Sequence, residues 1–138
     1  MSLNVAQLKT WNMEFVKPTE AELAILHVLW NNGAQPVRFV NDILNSESDG
    51  ERGYTSTLKT MQVMYEKGLL TRDDSARSHV YAAALPQQET QRNLVNHFVS
   101  SAFKGSAMQL VMQALGNHSA TEDELAEIKS LIEKMEKK

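Results

Sequence analysis

The feature that most constrains this chain is a single change of hydrophobic periodicity at Gly68. Before it, apolar residues recur at three- and four-residue spacing in three successive segments, as they do on one face of a helix. After it, apolar and polar residues alternate in two short segments on either side of a polar, charged turn, which is the pattern of a β-hairpin. Three helices followed by a hairpin are therefore expected in the first part of the chain.

The starts of these helices carry recognisable residues. Thr19 and Glu22 are separated by three positions, as in a capping box. Pro36 suits the first turn of the second helix. The third helix is expected over Tyr54–Lys67 and ends at the glycine that follows. The residues expected on its buried face are Leu58, Met61, Met64 and Tyr65.

From Pro86 onwards the pattern is helical throughout, with a break at Gly105-Ser106 and a second capping box at Thr121 and Glu124. Three helices of about 10–18 residues cannot easily bury all their apolar stripes on one another, because short helices are marginal on their own. Pairing with a second copy would cover the stripes and predicts a homodimer. The residues expected in the dimer contacts are Leu94, Phe98, Phe103, Leu110, Val111, Leu115, Leu125, Ile128 and Ile132.

These patterns predict a mainly α chain of the α+β class with two regions. Residues 1–85 are expected to form a winged helix-turn-helix, of which residues 1–17 are an N-terminal extension, and residues 86–138 a helical dimerisation region. The longest apolar runs are short and no secretion signal opens the chain, so a cytoplasmic protein without membrane insertion is expected.

The composition argues against several classes of chemistry. The 138 residues include no cysteine, which excludes disulfides, thiolate metal sites and thiol catalysis. The four histidines do not follow a zinc-binding spacing, so no metal is predicted. No nucleophile elbow, phosphate-binding glycine loop or paired-carboxylate site is recognisable, so neither catalytic residues nor a cofactor is predicted.

Several stretches resemble the penicillinase repressor family in their order and spacing. Thr19–Leu26 is similar to its first helix, Gly53–Leu70 to its recognition helix and first wing strand, and Arg77–Tyr81 to its second wing strand. Gly105-Ser106 resembles the break between its dimerisation helices. The similarity runs from about Pro18 to Met135. It implies a homodimeric repressor that binds a palindromic operator in double-stranded DNA.

Three departures from the family pattern limit what the resemblance implies. The copper-responsive branch has a cysteine-rich tail, which is missing here, so copper sensing of that kind is excluded. The β-lactam branch is inactivated by proteolysis at an Asn-Phe bond, and the corresponding stretch Leu110–Ala114 lacks that pair. A sensor protease therefore remains a candidate partner, but no peptide bond of this chain is assigned as its cleavage site. Val63 stands where the family commonly has arginine, so a different operator preference is expected.

The polar face of the third helix is the candidate DNA reader, because an α-helix fits the major groove. No acidic residue occurs between Arg52 and Tyr65. Hydroxyl and amide groups can bond bases or phosphates, and cations on the helix and the hairpin can neutralise phosphates. The residues predicted to contact DNA are Arg38, Arg52, Thr55, Ser56, Lys59, Gln62, Arg77, Ser78 and His79.

The charge balance keeps other hypotheses open. Residues 1–85 carry eight Lys and Arg against ten Asp and Glu, a net charge of −2, whereas DNA-binding domains are usually basic. A DNA-binding protein would therefore have to concentrate its cations on one surface. The alternative is a winged-helix module that binds a protein partner. A third hypothesis adds a small-molecule pocket between the two regions to a DNA-binding protein, although no convergent polar cluster indicates one.

Overall fold

The computed structural model describes residues 15–75, 77–117 and 119–137. The predicted N-terminal extension, residues 1–17, lies outside the described residues up to residue 14. The elements follow in the order α1 (Glu20–Asn32), β1 (Gln35–Pro36), α2 (Val37–Ser46), α3 (Tyr54–Lys67), β2 (Leu70–Asp73), β3 (Val80–Ala83), α4 (Gln87–Ser101), α5 (Ala107–Asn117) and α6 (Glu122–Glu136). This is the predicted α+β winged-helix fold, in which β2, β3 and the residues between them form the wing.

Both predicted capping boxes are present. The Thr19 hydroxyl accepts the Glu22 N–H at 3.1 Å, and the Glu22 carboxylate accepts the Thr19 N–H at 2.9 Å. Thr121 and Glu124 repeat the arrangement at the start of α6, with distances of 3.0 and 2.9 Å. Each box satisfies backbone donors that the first turn of a helix leaves without an intrahelical partner. The sequence therefore fixes where these two helices begin.

The sheet contains one strand more than the sequence predicts. It is antiparallel with the order β1-β3-β2, and Arg72 lies opposite Tyr81 in the register. Pro36 pairs with Val80 in β1 and immediately precedes α2 as its N-cap, so its predicted place in the first turn of that helix is wrong by one residue. Two residues are too few to show an alternating pattern, which is why β1 was not predicted.

The core lies between α1, α2, α3 and the sheet. Ile25, Val40, Met61, Met64 and Tyr81 are completely buried at its centre. Burial of side chains of this size contributes about 1.5–3 kcal/mol each relative to exposure. Met61 and Met64 of α3 thus share one core with residues of α1, α2, β2 and β3.

A buried polar pair joins α2 to α3. The Thr57 hydroxyl donates a hydrogen bond of 2.6 Å to the side-chain oxygen of Asn41, and both residues are buried. Tyr65, which was predicted on the buried face of α3, is instead 38% exposed. Its ring is covered by the Arg72 guanidinium, at 4.2 Å from the ring centre. The buried face of α3 is therefore rotated away from Tyr65 and includes Thr57.

The chain forms two compact units, one extending to Leu94 and the other beginning at Val95. This boundary falls inside α4, whereas the sequence suggests a functional boundary at residues 85 and 86, and that functional division stays a prediction. The first unit is fastened near its end by the Trp30 indole, which donates to the Leu85 carbonyl at 3.0 Å. None of the helices in the described ranges combines the length and apolar character needed to span a bilayer.

Candidate nucleic-acid interface

α3 presents a continuous face to solvent on the side opposite the core. We call this surface the reading face. Its exposed residues are Thr55, Ser56, Lys59, Gln62 and Val63. Gly53 precedes the helix and has no side chain that could cap the first turn. The N-terminal N–H groups of a helix favour a phosphate, and its first turns approach base edges most closely in winged-helix docking. All five residues are thus accessible to a ligand, and the contact of Thr55, Ser56, Lys59 and Gln62 with DNA stays a prediction.

A cleft of about 500 Å³ opens between the start of α2, the start of α3 and the wing. We call it the wing cleft. Four of the predicted DNA contacts line it, namely Arg38, Arg77, Ser78 and His79. Arg38 and Arg77 are exposed and form no ion pair within the described ranges. The fold therefore gathers into one concave site residues that the sequence places on two separate segments.

Tyr54 completes the wing cleft and was not predicted as a functional residue. Its ring lies beneath the Arg38 guanidinium, whose central carbon is 4.9 Å from the ring centre. Stacking of this kind is a cation–π contact and restricts the rotamers of a long side chain. Because the two residues belong to different helices and are far apart in sequence, no local pattern could have indicated the contact.

Arg72 is a wing cation of a different kind. Its Nε lies 2.7 Å from Oδ1 of Asp74, and a second guanidinium nitrogen donates to Oδ2 at 3.2 Å. The hydrogen bond that Arg72 donates to Asp74 raises the pKa of Arg72. The same carboxylate lies 3.7 Å from Nδ1 of His79. Asp74 therefore neutralises Arg72 within the wing and also weakens the positive potential near His79.

Arg52 lies two residues before the start of α3, in a loop that is closed by a reciprocal pair of hydrogen bonds. The Arg52 N–H donates to Asn45 Oδ1 at 2.7 Å, and Asn45 Nδ2 donates to the Arg52 carbonyl at 3.1 Å. These bonds join the end of α2 to the residue that precedes the N-cap of α3. The three acidic residues of this loop, all exposed, are Glu47, Asp49 and Glu51. Arg52, a predicted DNA contact, thus belongs to a loop that also carries three exposed carboxylates.

The predicted dimerisation residues carry much of the exposed apolar surface. In α5 and α6 no described residue is buried. Val111 is 50% exposed and Ile132 is 51% exposed. Of the nine predicted residues, Phe98, Val111, Leu115, Leu125 and Ile132 are exposed, and Leu94, Phe103, Leu110 and Ile128 are half-buried. Their contact with a second copy stays a prediction.

Three helices with an exposed polar third helix, followed by a β-hairpin wing, define a winged helix-turn-helix, a fold that is common among DNA-binding proteins. Residues 18–134 match the family model described as penicillinase repressor. The chain belongs to the penicillinase repressor family, a family of DNA-binding transcriptional repressors that is not normally enzymatic. The resemblance predicted from the sequence is confirmed. Among curated proteins, no sequence matches this chain.

Proposed function

We propose that this chain is a homodimeric repressor that binds a palindromic operator through the reading face of α3 and through the wing. The observation that carries the proposal is the reading face itself. It is exposed, it contains no acidic residue between Arg52 and Tyr65, and Lys59 lies near its centre. Because the Thr57–Asn41 hydrogen bond holds the opposite side of α3 on α2, this face is presented by a fixed scaffold.

The distribution of charge supports DNA as the partner although the chain carries a net charge of −3. Lys59, Arg38 and Arg77 are exposed and make no ion pair in the described part of the chain. Two carboxylates near these elements are already paired, Glu22 with Lys67 and Asp74 with Arg72. These three exposed cations are therefore available to phosphates, as salt-dependent DNA binding requires.

The exposed apolar residues after Val95 support a dimer. Large exposed apolar patches usually mark an interaction surface in a water-soluble domain. A two-fold dimer would hold two reading faces about 34–36 Å apart, or a multiple of that distance, so that both enter major grooves of one duplex. The second half-site contact then becomes intramolecular and strengthens binding. Proteolysis within residues 86–138, or loosening of the dimer, would release the operator.

Selection of duplexes from a random library by the full chain tests the proposal. We expect recovery of a pseudo-palindrome with two half-sites, bound by a protein that sediments as a dimer. Lys59→Glu is expected to weaken binding to the recovered duplex about tenfold or more, since each subunit loses a cation and gains an anion. Lys137→Glu, the same change at an exposed position outside the winged-helix unit, is the matched control.

Two results would contradict the proposal. Recovery of no preferred sequence would favour the alternative, a winged helix that binds a protein partner. Equal binding by wild type, Lys59→Glu and Lys137→Glu would show that α3 is not the reader even if the chain binds DNA.

A further inference from the structure

One edge of α3 carries two tyrosines that each stack on an arginine from another element. Tyr54 and Tyr65 are three helical turns apart and are similarly exposed, at 40% and 38%. Arg38 of α2 lies 4.9 Å from the centre of the Tyr54 ring, and Arg72 of β2 lies 4.2 Å from that of Tyr65. The two pairs are the same kind of cation–π contact, and their surroundings differ.

The two arginines differ in whether an acidic side chain binds their guanidinium groups. Asp74 binds two nitrogens of Arg72, so that arginine is neutralised inside the wing. Arg38 has no acidic partner within the described ranges. The cation–π contact with Tyr54 uses no acceptor atom, so the guanidinium N–H donors of Arg38 remain available to an anion. Arg38 is therefore restrained in position and still able to bind an anion.

We propose that Tyr54 is a positioning residue that holds the Arg38 guanidinium at the mouth of the wing cleft to bind a phosphodiester of the DNA backbone. Arg77 and Ser78 line the same cleft and supply a second cation and a hydroxyl to that phosphate. The Tyr65–Arg72 pair is the structural counterpart, which fastens the wing to α3 without binding DNA. This inference rests on the proposed function, since it assigns roles within the same DNA-binding surface.

A double-mutant cycle on the full chain tests the role of Tyr54. The probe is a fluorescent duplex of about 30 base pairs that the wild-type protein has recovered from a random library. Tyr54→Leu is expected to weaken binding about two- to fivefold, the range of an exposed cation–π contact. Tyr54→Phe keeps the ring and is expected to retain affinity within about a factor of two. In the Arg38→Ala background, Tyr54→Leu is expected to have no further effect.

Tyr65→Leu supplies the matched control, since Tyr65 is as exposed as Tyr54 and stacks on an arginine in the same way. Tyr65→Leu should change DNA affinity by the same factor in the wild-type background and in the Arg38→Ala background. Arg38→Ala itself should reduce the slope of log affinity against log salt by about one for each subunit. Thermal unfolding checks that each variant is folded, and Tyr54→Gln replaces Tyr54→Leu if the latter does not fold.

Additive effects of Tyr54→Leu and Arg38→Ala would overturn the inference and leave the proposed function intact. The same holds if Tyr54→Phe loses as much affinity as Tyr54→Leu, since the hydroxyl rather than the ring would then matter. A wild-type chain that binds no duplex at any salt concentration would refute both the proposed function and this inference.

Discussion

The Thr57 hydroxyl donates to the Asn41 side-chain oxygen across 2.6 Å, and both groups are buried between α2 and α3. A buried acceptor that loses its donor costs more than the hydrogen bond itself contributes, so other rotations of α3 on α2 are disfavoured. The rotation that buries Thr57 is also the one that exposes Lys59 and Gln62. The orientation of the reading face is thus encoded partly in a residue that does not belong to it.

Thr57→Val is expected to lower the free energy of unfolding by about 1–3 kcal/mol, because it leaves the Asn41 amide oxygen buried without a donor. Urea denaturation measures the loss. Thr60→Val is the control, since the Thr60 hydroxyl bonds only to the Ser56 carbonyl of its own helix at an exposed position. A similar loss in both variants would mean that the buried pair has no special role.

The Glu22–Lys67 ion pair predicts a stability that falls in acid. Burial raises the pKa of Glu22, but the hydrogen bonds from Lys67 and Thr19 together outweigh burial and lower the pKa below its ordinary value of 4.5. The unfolded chain therefore takes up this proton more readily than the folded chain. The stabilisation is fully present above pH 4.5 and is lost as the pH falls through the lower folded pKa.

Glu22→Gln is expected to destabilise the protein by about 1 kcal/mol at neutral pH and to flatten the acid limb of the stability curve. Denaturation midpoints measured between neutral pH and strong acid check this. Glu20→Gln removes an exposed carboxylate from the same helical turn and serves as the control. If the Glu22→Gln curve kept the acid limb of the wild type, the ion pair would not be its cause.

Arg77→Ala is expected to make DNA binding less sensitive to salt. Arg77 is an exposed cation of the wing cleft, and loss of one phosphate contact should reduce the slope of log affinity against log salt by about one for each subunit. Fluorescence anisotropy across a salt series measures the slope, with Lys137→Ala as the control. If Arg77→Ala left this slope unchanged, Arg77 would not contact a phosphate and the wing would have no demonstrated role in DNA binding.

Ile132→Asp is expected to break the dimer, since it places a charge in the exposed apolar stripe of α6. Sedimentation should shift towards the monomer. Affinity for a duplex with both half-sites should fall about 100-fold, whereas affinity for a single half-site should stay unchanged. Ser130→Asp introduces the same charge on the opposite side of α6, by helical spacing, and should leave the dimer intact. Dimers that persist in Ile132→Asp would place the interface elsewhere.

The elements that local signals define could be predicted from the sequence. The two capping boxes and the bounds of α3 were correct because each depends on residues within a few positions of one another. Strand β1 could not be predicted, because its two residues are held in the sheet by β3, more than forty positions further along the chain.

The sequence predicted which exposed polar residues belong to the candidate site, but it did not predict the contacts between elements that position them. Thr57 looks like part of a polar helix face until Asn41, on another helix, makes it a buried donor. Tyr65 has the spacing of a core residue, yet it is exposed and its ring contacts the Arg72 guanidinium. Tyr54 becomes relevant only because Arg38 lies above its ring. All three depend on contacts between elements, which periodicity along one element does not report.

The Trp30 indole donates a hydrogen bond to the Leu85 carbonyl, so the fluorescence of Trp30 can report whether this contact is present. An indole that loses its partner and becomes hydrated emits at a longer wavelength. Replacement of Trp11, the other of the two tryptophans, by phenylalanine would leave Trp30 as the single emitter. Its emission wavelength would then report on the segment that joins the winged helix to α4. Detachment there during operator release would be visible without a label.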